Sequence, residues 1–134
     1  MSDWPIPKPI DPINDEFWQS CQDGILRFQR CTSCKKFRHL PRYMCASCGS
    51  TDYEWAPCSK TGSLYSWTIT HQNFHPSFEV PFIAAIVEFP EGVRMVSQLL
   101  DANGVDLQLG LAVDVEFKAV GEDFQMPVFR LSAE

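Results

Sequence analysis

Apolar positions in this chain follow two different periods. Ile13, Phe17, Trp18 and Cys21 recur at helical spacing, with Asp11 or Asn14 placed to cap the start and Gly24 to stop the helix near Asp23. The chain after Gly24 reads at period two. Residues 25–30, 37–41 and 53–57 predict three short strands. Residues 64–71 alternate, with Tyr65, Trp67 and Ile69 on one face and Ser66, Thr68 and Thr70 on the other. Residues 82–89 are almost wholly apolar, which predicts a strand buried on both sides. Residues 93–100 follow across Pro90-Glu91-Gly92, a hairpin signal. Val113, Val115, Phe117 and Ala119 then alternate with Asp114, Glu116 and Lys118, and residues 128–131 complete the set. Five strands, with a long connection (101–112) between the third and fourth, predict a small barrel of the OB type. A β-sandwich is the alternative, but it usually wants about seven strands. Residues 1–12, with Pro5, Pro7 and Pro9, read as an extended arm, either a strap on another surface or an unstructured tail.

Four cysteines interrupt the first three strands. Cys31 and Cys34 form one Cys-x-x-Cys pair, and Cys45 and Cys48 form another. Each pair sets two thiolates on one tight turn, and two such turns face each other around a tetrahedral ion, the arrangement that structural zinc prefers. Two disulfides or four unlinked thiols are the alternatives. Four sulfur ligands leave no position for water, so such a zinc holds structure and activates nothing. Gly49 fits the turn after Cys48. Strand, cysteine turn, strand, cysteine turn, strand is the organisation of a zinc ribbon. The expected fold class is mainly β: an N-terminal arm and helix (1–24), a rubredoxin-like four-cysteine zinc ribbon (25–58), and a five-stranded OB-fold barrel (59–134).

Composition narrows the setting. The chain has 134 residues, 45% of them hydrophobic, enough for a packed core. The N-terminus shows no apolar signal-peptide core, and no apolar run is long enough to span a bilayer. A reducing cytoplasm is the expected location. Cys21 and Cys58 fall outside the metal set and read as small buried residues. The formal net charge of −6 disfavours generic nucleic-acid binding. The charge is uneven, however. Residues 25–60 hold seven of the eleven bases against Asp52 and Glu54, which makes that segment +5 and the rest −11. The three histidines, His39, His71 and His75, sit in no motif that pairs them with Cys21 or Cys58. There is no glycine-rich phosphate loop and no paired-carboxylate motif.

The stretches "FWQSCQDGILRFQRCTSCKKFRHLPRYMCASCGS" (17–50), "GSLYSWTITHQ" (62–72) and "PFIAAIVEFPEGVRMVSQL" (81–99) occur in that order. In this ordered set the chain resembles, from about residue 11 to 131, the zinc-ribbon/OB-fold family associated with acyl-CoA enzymes. The resemblance implies a small accessory subunit of a thiolase-like enzyme, or of a related acyl-CoA hydratase or aldolase. It implies that such a subunit supports assembly and CoA or acyl binding while the partner supplies the nucleophile. Carried over residue by residue, it assigns only zinc at Cys31, Cys34, Cys45 and Cys48.

Two further groups of residues take meaning beside that resemblance. Lys35, Lys36, Arg38, His39 and Arg42 lie between the cysteine turns. They offset the negative charge of a zinc centre with four thiolates, or they meet the phosphates of CoA or an acidic patch on the enzyme. His71, Phe74, His75 and Phe78 belong to a loop that is either simply solvated or docks on the partner beside its acyl channel. A stand-alone acyl-CoA carrier and a single-stranded nucleic-acid binder are the competing functions. The second needs Tyr65 and Trp67 exposed and ringed by bases.

Overall fold

A computed structural model of the chain describes residues 4–7, 11–73, 75–121 and 124–132. Helix α1 spans Pro12–Gln22. Asp11 is extended and accepts the Asn14 backbone N–H at 2.9 Å, so aspartate rather than asparagine caps the helix. Pro12 opens the first turn, where a missing N–H costs nothing. The Gly24 N–H closes on the Cys21 carbonyl with φ +73°, which stops the helix at the expected place. Ile13, Phe17, Ser20 and Cys21 form its buried face.

Three strands follow: β1 (Arg27–Cys31), β2 (Phe37–Arg38) and β3 (Tyr53–Pro57). They form an antiparallel sheet in the order β2-β1-β3. Strand β2 is shorter than its sequence suggests. His39 leaves the sheet to pack against the rings of Phe17 (4.9 Å) and Phe28 (5.0 Å), and Pro41 brings no N–H to a ladder.

The remaining strands are β4 (Thr61–Thr70), β5 (Phe82–Glu88), β6 (Arg94–Leu100), β7 (Ala112–Val120) and β8 (Phe124–Leu131). They close into a barrel in the order β4-β5-β6-β8-β7, with β7 returning to β4. All neighbours are antiparallel except β6 and β8, which run parallel at Leu99↔Phe129 and Leu100↔Arg130. This is the OB-type barrel expected above, not a sandwich. The hairpin between β5 and β6 is held by Phe89 N–H to Val93 O at 2.9 Å, with Gly92 at φ +92°.

Two strands depart from expectation. Strand β5 alternates instead of being buried on both sides: Ile83, Ala85 and Val87 are fully buried, while Phe82, Ala84 and Ile86 are half-buried. A closed barrel has one interior, so even an apolar strand shows one face to the outside. Strand β8 starts at Phe124, ahead of the expected start at residue 128. It meets β6 only at Leu99 and Leu100, so Pro127 lies where no β6 neighbour needs its missing N–H.

One core joins the three parts. Phe17 and Cys21 from α1, and Leu26 and Phe28 from the ribbon, merge with the barrel interior around Phe89, Met95 and Phe129. The rings of Phe28 and Phe89 lie 5.5 Å apart. Gly62 is required at the β4–β5 contact, where a Cβ would fall 2.6 Å from the Glu88 carbonyl oxygen.

Candidate metal centre

The two cysteine turns are built alike. In the first, the Lys35 N–H bonds the Cys31 carbonyl at 2.9 Å and the Cys31 N–H bonds the Lys36 carbonyl at 2.9 Å. In the second, Gly49 N–H to Cys45 O (2.9 Å) and Cys45 N–H to Ser50 O (2.8 Å) repeat the pattern. Both turns need a left-handed residue at the same place. Gly49 supplies it at φ +77°, and Lys35 adopts it at φ +68°.

These turns bring Cys31, Cys34, Cys45 and Cys48 together, with all four Sγ atoms within 4.8 Å of one another. Cys31 and Cys48 are 3.6 Å apart, as are Cys34 and Cys45. An ion at ~2.3 Å from four tetrahedral sulfurs sets them ~3.8 Å apart, so the donor set fits zinc. Backbone N–H groups favour the thiolates. The Cys34 N–H, 3.5 Å from the Cys31 sulfur, lowers that thiol's pKa. The N–H groups of Cys48 and Ser47 bring Cys45 down to about 6. The other two cysteines behave oppositely. Burial pushes Cys21 up to about 12, and burial with the nearby Glu91 carboxylate does the same for Cys58. Neither is a ready nucleophile.

The basic residues do not act as one group. Lys35 is exposed at its strained turn. Lys36 donates from Nζ to Ser47 Oγ at 3.3 Å. Arg38 donates from Nε to Gln29 Oε1 and from Nη2 to the Arg42 carbonyl at 2.9 Å. The Arg42 N–H also reaches Gln29 Oε1, at 2.7 Å. His39 is half-buried between the two phenylalanine rings, and burial pushes its pKa down to about 4, so the imidazole is neutral. A cavity of about 360 Å³ lies over this cluster, with Gly92, Val93 and Arg94 of the barrel as its far wall.

The loop residues assemble elsewhere. His71 is exposed just past β4. Phe74 lies outside the described residues. His75 accepts the Ser77 N–H at Nδ1 (3.1 Å), and Phe78 packs between Trp4 (5.4 Å) and Phe82 (5.5 Å). Tyr65 is exposed beneath the Arg94 guanidinium, at 3.9 Å, whereas Trp67 packs against the core. Sequence reasoning missed an apolar groove. It is lined by Trp18, Leu40, Met95, Val96, Met126 and Pro127 and encloses about 170 Å³. The signal was present, since "LPRYM" puts three large apolar residues into an otherwise charged stretch.

Family models for the ChsH2 rubredoxin-like zinc ribbon domain and the ChsH2 C-terminal OB-fold domain match residues 18–54 and 55–118. The chain belongs to the ChsH2 (DUF35) zinc-ribbon/OB-fold family. A solved structure titled "Ltp2-ChsH2(DUF35) aldolase" superposes with TM-score 0.88 at 31% identity, over 95% of this chain and all of that one. The benzoylsuccinyl-CoA thiolase subunit BbsA of Thauera aromatica is 30% identical over 75% of this chain and 72% of its own. A probable enoyl-CoA hydratase alpha subunit of Thermomonospora curvata is 34% identical over 92% of this chain, which spans only 39% of that protein. No described helix of this family member is long and apolar enough to cross a membrane.

Proposed function

We propose that this chain is a non-catalytic accessory subunit of an enzyme acting on CoA thioesters. In this reading it docks on a thiolase-fold partner that makes or breaks the carbon–carbon bond; a hydratase or aldolase partner is the alternative. The observation that carries the reading is the apolar groove. Leu40 of the ribbon is 68% exposed and Val96 of β6 is 64% exposed, with Trp18 of α1 beside them. Tyr43 and Met44 add exposed apolar surface from the same ribbon segment. A joint apolar surface of this kind marks an interaction site. Leu40, Tyr43 and Met44 all lie between the second and third cysteines, so a zinc held by Cys31, Cys34, Cys45 and Cys48 fixes the segment that carries them. Fixing an interface before contact reduces the entropy lost on binding.

The relatives support the same reading. Their names belong to a hydratase, a thiolase and an aldolase, yet each contains a part like this chain. A part shared by three different reactions supplies something other than the base or nucleophile of any one. The CoA ester is then a ligand shared at the interface, with the loop of His71, Phe74, His75 and Phe78 bordering the acyl path.

The test is co-expression with candidate thiolase, hydratase and aldolase subunits from the same source, followed by sizing and CoA-ester turnover. Assembly should be stoichiometric, and turnover should require both chains. Leu40→Asp with Val96→Asp should weaken assembly by at least ~30-fold, the scale of buried apolar anchors. Turnover by this chain alone, or full assembly of the double variant, defeats the reading.

A further inference from the structure

We propose that the seam between the ribbon and the barrel binds a phosphate-bearing organic anion. This goes beyond assembly with an enzyme, because the site is complete within this chain. The cavity of about 360 Å³ there is lined by Lys36, Arg38, Arg42 and Arg94, and no carboxylate is among its lining residues. Arg94 is already committed, to Glu88 at 2.9 Å and to the face of Tyr65. The other three cations form no ion pair among the described residues. Three unpaired cations around one concave space are unusual on a chain of net charge −6.

The metal centre does not account for them. Among the described residues, no lysine or arginine donates to a cysteine sulfur; the thiolates are served by backbone N–H groups instead. The floor of the seam adds a second, independent observation. Gln29 is fully buried, its Oε1 accepts both Arg38 Nε and the Arg42 N–H, and its Nε2 has no partner. Arg38 Nη1 and His39 Nδ1 are buried and unpartnered as well. Each unpaired buried donor costs ~1–3 kcal/mol, which an acceptor entering the seam recovers. Cations and spare donors converge here with nothing to accept from them.

The ligand class follows from that chemistry. A phosphate ester offers several anionic oxygens at once, which arginine forks and a lysine point charge engage together. A single carboxylate uses two acceptors and leaves most of the space unfilled. The volume sits at the small end of organic-ligand pockets, ~300–1,000 Å³. Phe37, whose ring faces Arg30 at 5.4 Å, supplies an apolar wall for the organic part. Two sources carry this chemistry: the nucleotide end of CoA and a free phosphate metabolite.

Calorimetry on the zinc-loaded full chain tests the site with inorganic pyrophosphate, adenosine 3′,5′-bisphosphate, CoA and, as control, adenosine. Binding of the three anions but not adenosine, with affinity falling as salt rises, is expected. Lys36→Ala with Arg42→Ala should weaken it at least tenfold, and zinc content with circular dichroism confirms that these exposed positions leave the fold intact. Lys118→Ala, away from the seam, should change nothing. CoA at least tenfold tighter than pyrophosphate assigns the site to the CoA nucleotide; equal affinities assign it to a free phosphate. No anion binding, or binding unchanged in the double variant, overturns the site. Assembly with an enzyme is read by sizing, so the two proposals fail separately.

Discussion

The ribbon and the barrel meet the same problem with opposite means. The barrel pairs β4 with β5 and β7 with β8 along most of their lengths and fills its interior with Leu64, Ile83, Ala85, Val87, Val113 and Phe129. Its backbone groups and apolar side chains are satisfied by one another. The ribbon pairs β1 with β2 at only two positions. Near the barrel it borrows the common core through Leu26 and Phe28, but between residues 32 and 50 only Pro41 and Cys45 are buried. A segment that small cannot build an apolar interior, and metal ligation is the usual substitute. The difference shows that one short chain is divided by its source of stability, and that the division falls where Phe28 touches Phe89.

The largest effect should come from the metal. Cys31→Ala, or a strong chelator, removes a cross-link that contributes ~10 kcal/mol or more in small zinc modules. Elemental analysis should show the ion lost, and hydrogen exchange should collapse at residues 32–50. Amides of β5, β7 and β8 should stay protected, because their partners lie within the barrel. Uniform loss of protection in both regions would show that the chain is one cooperative unit and that the division is wrong.

Phe28→Ala comes next. Its ring is fully buried and touches Phe17, His39 and Phe89, so it belongs to both regions. A cost of ~3–5 kcal/mol in denaturant unfolding of the zinc-loaded chain is expected for a truncated core aromatic. A cost below ~1 kcal/mol is outside that range and would mean that the junction is not packed.

How much of this was legible in the sequence follows the same line. The helix with its aspartate cap, both cysteine turns, β3 and the Pro90-Glu91-Gly92 hairpin all rest on neighbours in the chain, and each appears where its residues indicate. What sequence missed depends on distant partners. The early end of β2 reflects rings from α1 and β1 that draw His39 inward. The early start of β8 depends on which stretch of β6 it meets. The basic residues were visible as a cluster. Their separation into an exposed Lys35, a neutral His39 and a seam shared with Gln29 and Arg94 required the fold, since those partners come from β1 and β6.

His39 offers a smaller and pH-dependent test. Its folded pKa of about 4 lies below the ordinary 6.5, so the unfolded chain binds more protons between those values. Stability from the buried neutral ring is complete above pH 6.5 and is lost as pH falls toward 4. The loss should amount to ~2–3 kcal/mol across that window. Acid also protonates metal thiolates, so the informative quantity is the difference from His39→Phe, which keeps a ring and cannot titrate. Parallel stability curves for the two proteins between pH 6.5 and 5 would show that His39 is not the group responsible.

The smallest effect compares the two cysteine turns directly. They share hydrogen bonds and the left-handed residue four places after the first cysteine, but one uses Gly49 and the other Lys35. A side chain at positive φ crowds the backbone by ~1–2 kcal/mol, whereas glycine adopts the region freely. Glycine also loses more freedom on folding, which offsets part of the gain. Lys35→Gly should therefore stabilise the zinc-loaded ribbon by up to ~1 kcal/mol, and Gly49→Ala should destabilise it by about the same amount. No atom lies within 4 Å of a Cβ built at Gly49, so the second change reports backbone strain alone. Lys35 lines no part of the proposed anion seam. Lys35→Gly should thus leave pyrophosphate affinity unchanged while raising resistance to chelation. Destabilisation by Lys35→Gly would mean that the first turn is held by lysine contacts rather than strained by its backbone, and that the two turns are alike only in outline.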